Sequence, residues 1–145
     1  MLVFERGNLF SFAKCALVNP VNCEGIMGAG LALKFKERWP DLFHAYRRMC
    51  LKGALSPGGV WPWVSADGDV VLCAATKDRW KNPSKKEWIS QCLATLHTLG
   101  SLIHPRPLAI PSLGCGCGGW LWPEIKPLFE REFHNTQLTL VVLES

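Results

Sequence analysis

No stretch of the chain approaches the roughly 18 consecutive apolar residues that a membrane-spanning helix requires, so no membrane span is expected. The amino terminus, MLVFERG, places Glu5 and Arg6 straight after its apolar residues and lacks the build of a signal peptide; a cytoplasmic protein is the expectation. CxxC pairs are missing from the seven cysteines (Cys15, Cys23, Cys50, Cys73, Cys92, Cys115, Cys117), and His44, His97, His104 and His134 have no paired spacing. Neither a metal site nor a cofactor is expected, and the thiols read as reduced, mostly buried small hydrophobes. Charged residues are few, 19%, and the excess of 16 Lys+Arg over 12 Asp+Glu amounts to +4. That balance does not prove a nucleic-acid partner, but it suits a phosphate-bearing ligand. Repeats, low-complexity tracts and linkers are absent, and 145 residues suit one domain spanning 1–145.

What is present is a core. Apolar residues make up 48%, with seven Trp and seven Phe, which excludes a disordered chain. Short apolar runs at 2–4, 16–18 (closing on Pro20), 60–64, 70–75, 108–113 and 138–143 predict strands, the run VVLCAA at 70–75 being buried on both faces. Helical spacing follows Ala29 (Leu31, Phe35, Trp39) and stops at Pro40, and a second helix spans 41–52, with Asp41 as N-cap. A third helix starts at a capping box of Ser84 and Glu87 and carries Trp88, Cys92, Leu96 and Leu99. A fourth opens at Pro123 and carries Ile125, Leu128, Phe129 and Phe133. Strands alternating with helices predict an α/β sandwich with helices on both faces of a mixed sheet. Ligands of such sheets sit at the carboxyl ends of the strands, so the loops after Val18, Ala75 and Leu113 should converge.

Those three loops are also the unusual ones. Asn19-Pro-Val-Asn22-Cys-Glu-Gly25-Ile26-Met27-Gly28-Ala-Gly30 runs into a helix start, where free N–H groups favour phosphate; a glycine-rich turn made for close packing is the alternative. The spacing matches neither a P-loop nor the dinucleotide fingerprint. Gly114-Cys115-Gly116-Cys117-Gly118-Gly119 offers a second set of backbone donors. Between them, Thr76-Lys77-Asp78-Arg79-Trp80-Lys81 leaves the buried strand. Lys77 there is a candidate amine nucleophile, with a solvated loop lysine as the alternative.

The strings VNPVNCEGIMGAGLALKFKERWP, TKDRWKNPS and IPSLGCGCGGWLW resemble a macrodomain, and within that family the DarG-type branch, over nearly the whole chain from Gly7 to Val142. A more distant resemblance is to the terminal ADP-ribose glycohydrolase of animals. The resemblance implies a three-layer α/β/α sandwich with a mixed, about six-stranded sheet and ADP-ribose at its edge. It implies ADP-ribose contacts at Asn8, Leu9, Asn19, Asn22, Gly25, Ile26, Met27, Gly28, Gly30, Leu31, Thr76, Ser112, Leu113, Gly114, Cys115, Gly116, Cys117 and Gly118, with Lys77 catalytic. Asn8 falls where many macrodomains place an acidic residue against the adenine, and Gly118 where the animal enzyme carries an acid. The implied activity is metal-free removal of ADP-ribose from thymidine in single-stranded DNA, opposing a DarT-like toxin. Arg79, Trp80 and Lys81 are DNA-contact candidates, though Trp80 would equally shield the sheet edge. Hydrolysis of other ADP-ribosyl linkages, and ADP-ribose binding without turnover, remain alternatives; a monomer is expected.

Overall fold

Apolar runs and turn residues set the element order seen in the computed structural model, which describes residues 1–144. The elements are β1 (Leu2–Glu5), β2 (Ala16–Val21), α1 (Gly30–Arg38), α2 (Pro40–Leu51), β3 (Val60–Val64), β4 (Val70–Ala75), α3 (Lys86–Ile103), β5 (Leu108–Pro111), α4 (Trp122–Phe133) and β6 (Leu140–Leu143). Two 3₁₀ turns, at Leu9–Ser11 and Gly116–Gly118, complete the order. The strands form one six-stranded sheet in the order β1-β6-β5-β2-β4-β3. All neighbours pair in parallel except β3, which lies antiparallel on β4 at the edge.

Strand side chains alternate between two cores. On one face Val18, Leu72, Ala74 and Ile110 meet Ile89, Leu93 and Leu96 of α3 and Ile125, Phe129 and Phe133 of α4. On the other Leu17, Val71, Cys73 and Ala75 meet Phe35 of α1 and Leu42 and Tyr46 of α2. The sheet is therefore the middle layer of three, and VVLCAA is buried on both faces as its composition requires. Rings of Phe10, Phe35, Trp39 and Trp63 close the second core, with successive centroids 4.8–6.3 Å apart. Among the described residues no helix is long and apolar enough to cross a membrane.

Five boundaries differ from those expected. β2 does not close at Pro20 but runs through it to Val21. Its register with β5 ends at Leu17, so the missing Pro20 N–H falls where β5 has already diverged, while β4 pairs on to Val21. Asp41 is not an N-cap: Trp39 stands at that position without a side-chain bond, Pro40 takes the first helical turn and Asp41 lies inside it, close to the positive helix end. Ser84 is not the cap of α3 either; Lys85 is, without a side-chain bond. The Ser84 backbone is drawn instead toward the β5–α4 loop, its N–H donating to Gly118 O at 3.0 Å and its carbonyl accepting from Trp120 Nε1 at 2.7 Å. β5 stops at Pro111 and β6 begins at Leu140, each shorter than its apolar run.

Candidate functional site

The divergence of β2 from β5 makes the site. β4 lies on one side of β2 and β5 on the other, so the chain reverses its direction across the sheet at this gap. A cleft of about 890 Å³ opens there, within the roughly 300–1,000 Å³ range of small-ligand pockets. Its charged lining is Lys77 and Lys81; among the described residues no Asp or Glu lines it. The cleft thus suits an anion, and its lining is otherwise uncharged.

The β2–α1 loop (22–29) forms one wall and is organised by a buried pair. Asn22 Oδ1 accepts from the Glu24 N–H at 2.9 Å and the Ile26 N–H at 3.4 Å, and its Nδ2 donates to Ile26 O at 2.8 Å. Tyr46 of α2, fully buried, shares its hydroxyl proton between Asn22 O (2.7 Å) and Asn22 Oδ1 (2.9 Å). Burial holds this phenol neutral by pushing its pKa far above the usual range, so it remains a donor. The Cys23 thiol is likewise pushed up to about 12, chiefly by burial, and is no nucleophile at neutral pH. Beyond the loop, α1 begins at Gly30 without a side-chain cap or an acidic residue in its first turn. Gly30 and Leu31 line the cleft at this positive helix end.

The β5–α4 loop (112–121) forms the opposite wall, with Ser112, Gly114, Cys115, Gly116, Cys117 and Gly118 on the cleft. Gly114 and Gly116 have φ of +78° and +70°, which L residues rarely adopt. At Gly114 a Cβ would also lie 2.2 Å from Ile89 Cδ1, while at Gly116 it would meet open space. Gly118 is needed for room alone: a Cβ there would lie 2.8 Å from Ser84 Oγ.

The β4–α3 loop (76–85) brings Thr76, Lys77, Trp80 and Lys81 to the cleft between these walls. Lys77 Nζ donates to Trp80 O at 3.2 Å. Trp80 is 51% exposed, and the Lys81 ammonium sits 5.7 Å from its ring centroid, a weak cation–π contact.

Of the residues singled out from the sequence, Asn22, Ile26, Gly28, Gly30, Leu31, Thr76, Lys77, Trp80, Lys81 and the 112–118 loop except Leu113 meet at this cleft. Others are not part of its lining. Asn8 is exposed and caps the first 3₁₀ turn, accepting from the Phe10 N–H at 3.0 Å. Leu9, Met27 and Leu113 are core side chains, and Asn19 is fully buried within β2, its Nδ2 3.8 Å from Cys73 Sγ. At Gly25 a Cβ would lie 3.2 Å from Arg47 Cγ, so this glycine serves close packing on α2. Arg79 is exposed outside the lining. Pro20, Val21, Ala29, Ala32 and Ser84 line the cleft without having been singled out. Four of them are apolar and carry no chemical signal, and the strand divergence that exposes Pro20 and Val21 is not written in any local pattern. All seven cysteines are free, and among the described residues no three His, Cys, Asp or Glu side chains gather as a metal-holding group.

A three-layer sandwich with an anion-suited cleft at the parting of its central strands defines the Macro domain class; that family's model matches residues 18–129, and the chain belongs to it. Within the family it falls among the macrodomains of DarG. It is 34% identical to the solved macrodomain of Thermus aquaticus DarG, with a TM-score of 0.91 and 100% and 99% of the two chains covered. For the macrodomain of Mycobacterium tuberculosis DarG the values are 32%, 0.92, 100% and 98%. A structure described as Thermosipho africanus DarTG in complex with ADP-ribose is 28% identical with a TM-score of 0.88, covering 98% of this chain and 41% of that one. Among curated sequences, the DNA ADP-ribosyl glycohydrolases of T. aquaticus and M. tuberculosis are 38% and 34% identical over 87% and 93% of this chain. The chain spans only 36% and 39% of those two proteins.

Proposed function

We propose that this macrodomain binds ADP-ribose and hydrolyses its bond to thymidine in single-stranded DNA, reversing the action of a DarT-like transferase. The observation that carries the reading is the position of Lys77, on the cleft between two glycine-bearing walls where no carboxylate intervenes. Diphosphate charge is met by backbone N–H groups of the 114–118 loop and the amino end of α1, which are fixed before the ligand arrives. With the distal ribose held, the Lys77 amine bonds to its C1″ as the bond from C1″ to the base breaks. The electron pair leaves with the base, which takes up the proton the amine gives up. Water then bonds to C1″ and the Lys77 nitrogen departs, returning ADP-ribose and the free amine. Trp80 and Lys81 at the cleft mouth, with Arg79 beside them, supply a ring for a base and cations for phosphates. The names of the T. aquaticus and M. tuberculosis relatives and the ADP-ribose bound to Thermosipho DarTG support the same reading.

The test is an oligonucleotide ADP-ribosylated on thymidine, incubated with the wild type and with Lys77→Ala and resolved by gel. Wild type clears the modification. The variant loses about a thousandfold or more of the rate while ADP-ribose affinity, read by calorimetry, stays within about threefold. Wild-type turnover by the variant refutes the nucleophile, and substrate left intact by the wild type refutes the DNA-directed reading.

A further inference from the structure

Glu24 is the one residue of the β2–α1 loop whose side chain crosses to the Lys77 loop in a hydrogen bond. Its Oε1 accepts from the Trp80 N–H at 2.8 Å. The carbonyl of that same residue, Trp80, accepts from Lys77 Nζ at 3.2 Å. The two groups of one residue therefore connect the carboxylate on one loop to the amine on the other. A second bond runs alongside, from the Cys23 N–H to Asp78 O at 2.9 Å. At its other end Glu24 is anchored through its own N–H to Asn22 Oδ1 at 2.9 Å, and Asn22 in turn is held by the buried Tyr46 hydroxyl. An unbroken chain of contacts thus leads from the core under α2 to the cleft amine.

A lysine has a long, flexible stem, and holding its head at one point costs rotamer entropy. Fixing Trp80 from the far side gives that head a stationary acceptor. We propose that Glu24 is the positioning residue for Lys77: through the Trp80 peptide it makes the loop that receives the ligand and the loop that carries the amine a single unit. Glu24 itself lies outside the cleft lining and touches no reacting atom. The inference rests on the hydrolase reading for its kinetic consequence, whereas the bridge itself can be read without substrate.

Glu24→Ala and Glu24→Gln separate the bond from the charge, because a glutamine oxygen accepts from the Trp80 N–H as a carboxylate does. With the ADP-ribosylated thymidine oligonucleotide, Glu24→Ala should lower kcat about tenfold, the loss of one charge-assisted hydrogen bond, with KM and ADP-ribose affinity within about twofold. Glu24→Gln should recover most of that rate. In the ligand-free protein, hydrogen exchange followed by NMR should show the Trp80 amide losing protection in Glu24→Ala and regaining it in Glu24→Gln. Wild-type kcat in Glu24→Ala overturns the proposal, as does a Glu24→Gln rate no better than that of Glu24→Ala, or an unaltered Trp80 amide. Should wild type leave the oligonucleotide intact, the hydrolase reading fails by itself, and the Trp80 amide still decides whether Glu24 holds this turn.

Discussion

Replacing Tyr46 by Phe removes one oxygen and leaves the ring in its core, so it isolates the hydroxyl that anchors the ligand-receiving loop. That hydroxyl is buried and reaches Asn22 O and Asn22 Oδ1 at 2.7 and 2.9 Å. One proton serves both oxygens, so the change removes about one buried hydrogen bond and leaves a backbone carbonyl short of its donor, a cost of about 2 kcal/mol. A chain of 145 residues unfolds with an entropy of about 0.3 kcal/mol per kelvin. The melting temperature should therefore fall by about 6–7 °C. Asn22 would still accept from the Glu24 and Ile26 N–H groups, so the loop loosens without melting. Ligand binding then has to order it, and ADP-ribose affinity should weaken about three- to tenfold. Thermal unfolding and calorimetry on the same preparation read both quantities. A fall in melting temperature with unaltered affinity would refute the coupling of the buried pair to the cleft, and no change in either would refute the anchoring itself.

Gly116→Glu puts an anion onto the wall assigned to the diphosphate, at a φ of +70° and with open space ahead of its Cβ. ADP-ribose affinity should fall by two orders of magnitude or more, with a stability cost of about 1–2 kcal/mol from the left-handed backbone; unchanged affinity in calorimetry sinks the assignment of that wall. Burial pushes the Cys73 and Cys92 thiols up to about 12, whereas in the unfolded chain they titrate near 8.5–9. Folded-state pKa values are raised, so the stability these thiols confer is whole below about pH 8.5 and drains away as pH climbs toward 12. At pH 10 each should have cost on the order of 1 kcal/mol, and a melting temperature that is flat from pH 7.5 to 10 contradicts their burial as neutral thiols.

Much of the architecture is legible in the sequence because strands and helices announce themselves by period, and the period follows from burial. VVLCAA has no polar face to give to solvent, and the strand it forms has none exposed. The start of α3 was less legible, since it is settled by partners far along the chain. Ser84 followed by Glu87 is a sound local cap, yet the Ser84 backbone bonds to Gly118 and Trp120 instead, more than 30 residues on. Asn8 and Gly25 teach the same about the site. Each stands in a motif that resembles a ligand contact, yet neither is in the cleft lining: Asn8 caps a 3₁₀ turn and Gly25 packs on the flank of α2. Motif membership selects the loops; which face of a loop reaches the cleft is decided by what packs behind it.

Gly118 shows how far that packing reaches into the chemistry. By resemblance this is the position where the animal enzyme carries an acid, and its absence turns the proposed chemistry to Lys77. The geometry shows what a side chain at this position would meet. Gly118 is buried, its φ is not in the left-handed region, and nothing in its backbone demands glycine; the demand comes from Ser84, whose Oγ would lie 2.8 Å from any Cβ. Ser84 in turn is held against this loop by its own backbone bonds, so relief at 118 falls to its hydroxyl, which has no hydrogen-bond partner among the described residues. A side chain at 118 therefore requires the Ser84 hydroxyl to turn aside. The carboxylate this cleft does have within reach of the lysine's loop is Glu24, on the opposite wall, and it holds the Trp80 turn rather than lining the cleft. In the proposed arrangement acid and amine have different tasks, one keeping the geometry and the other meeting the ligand.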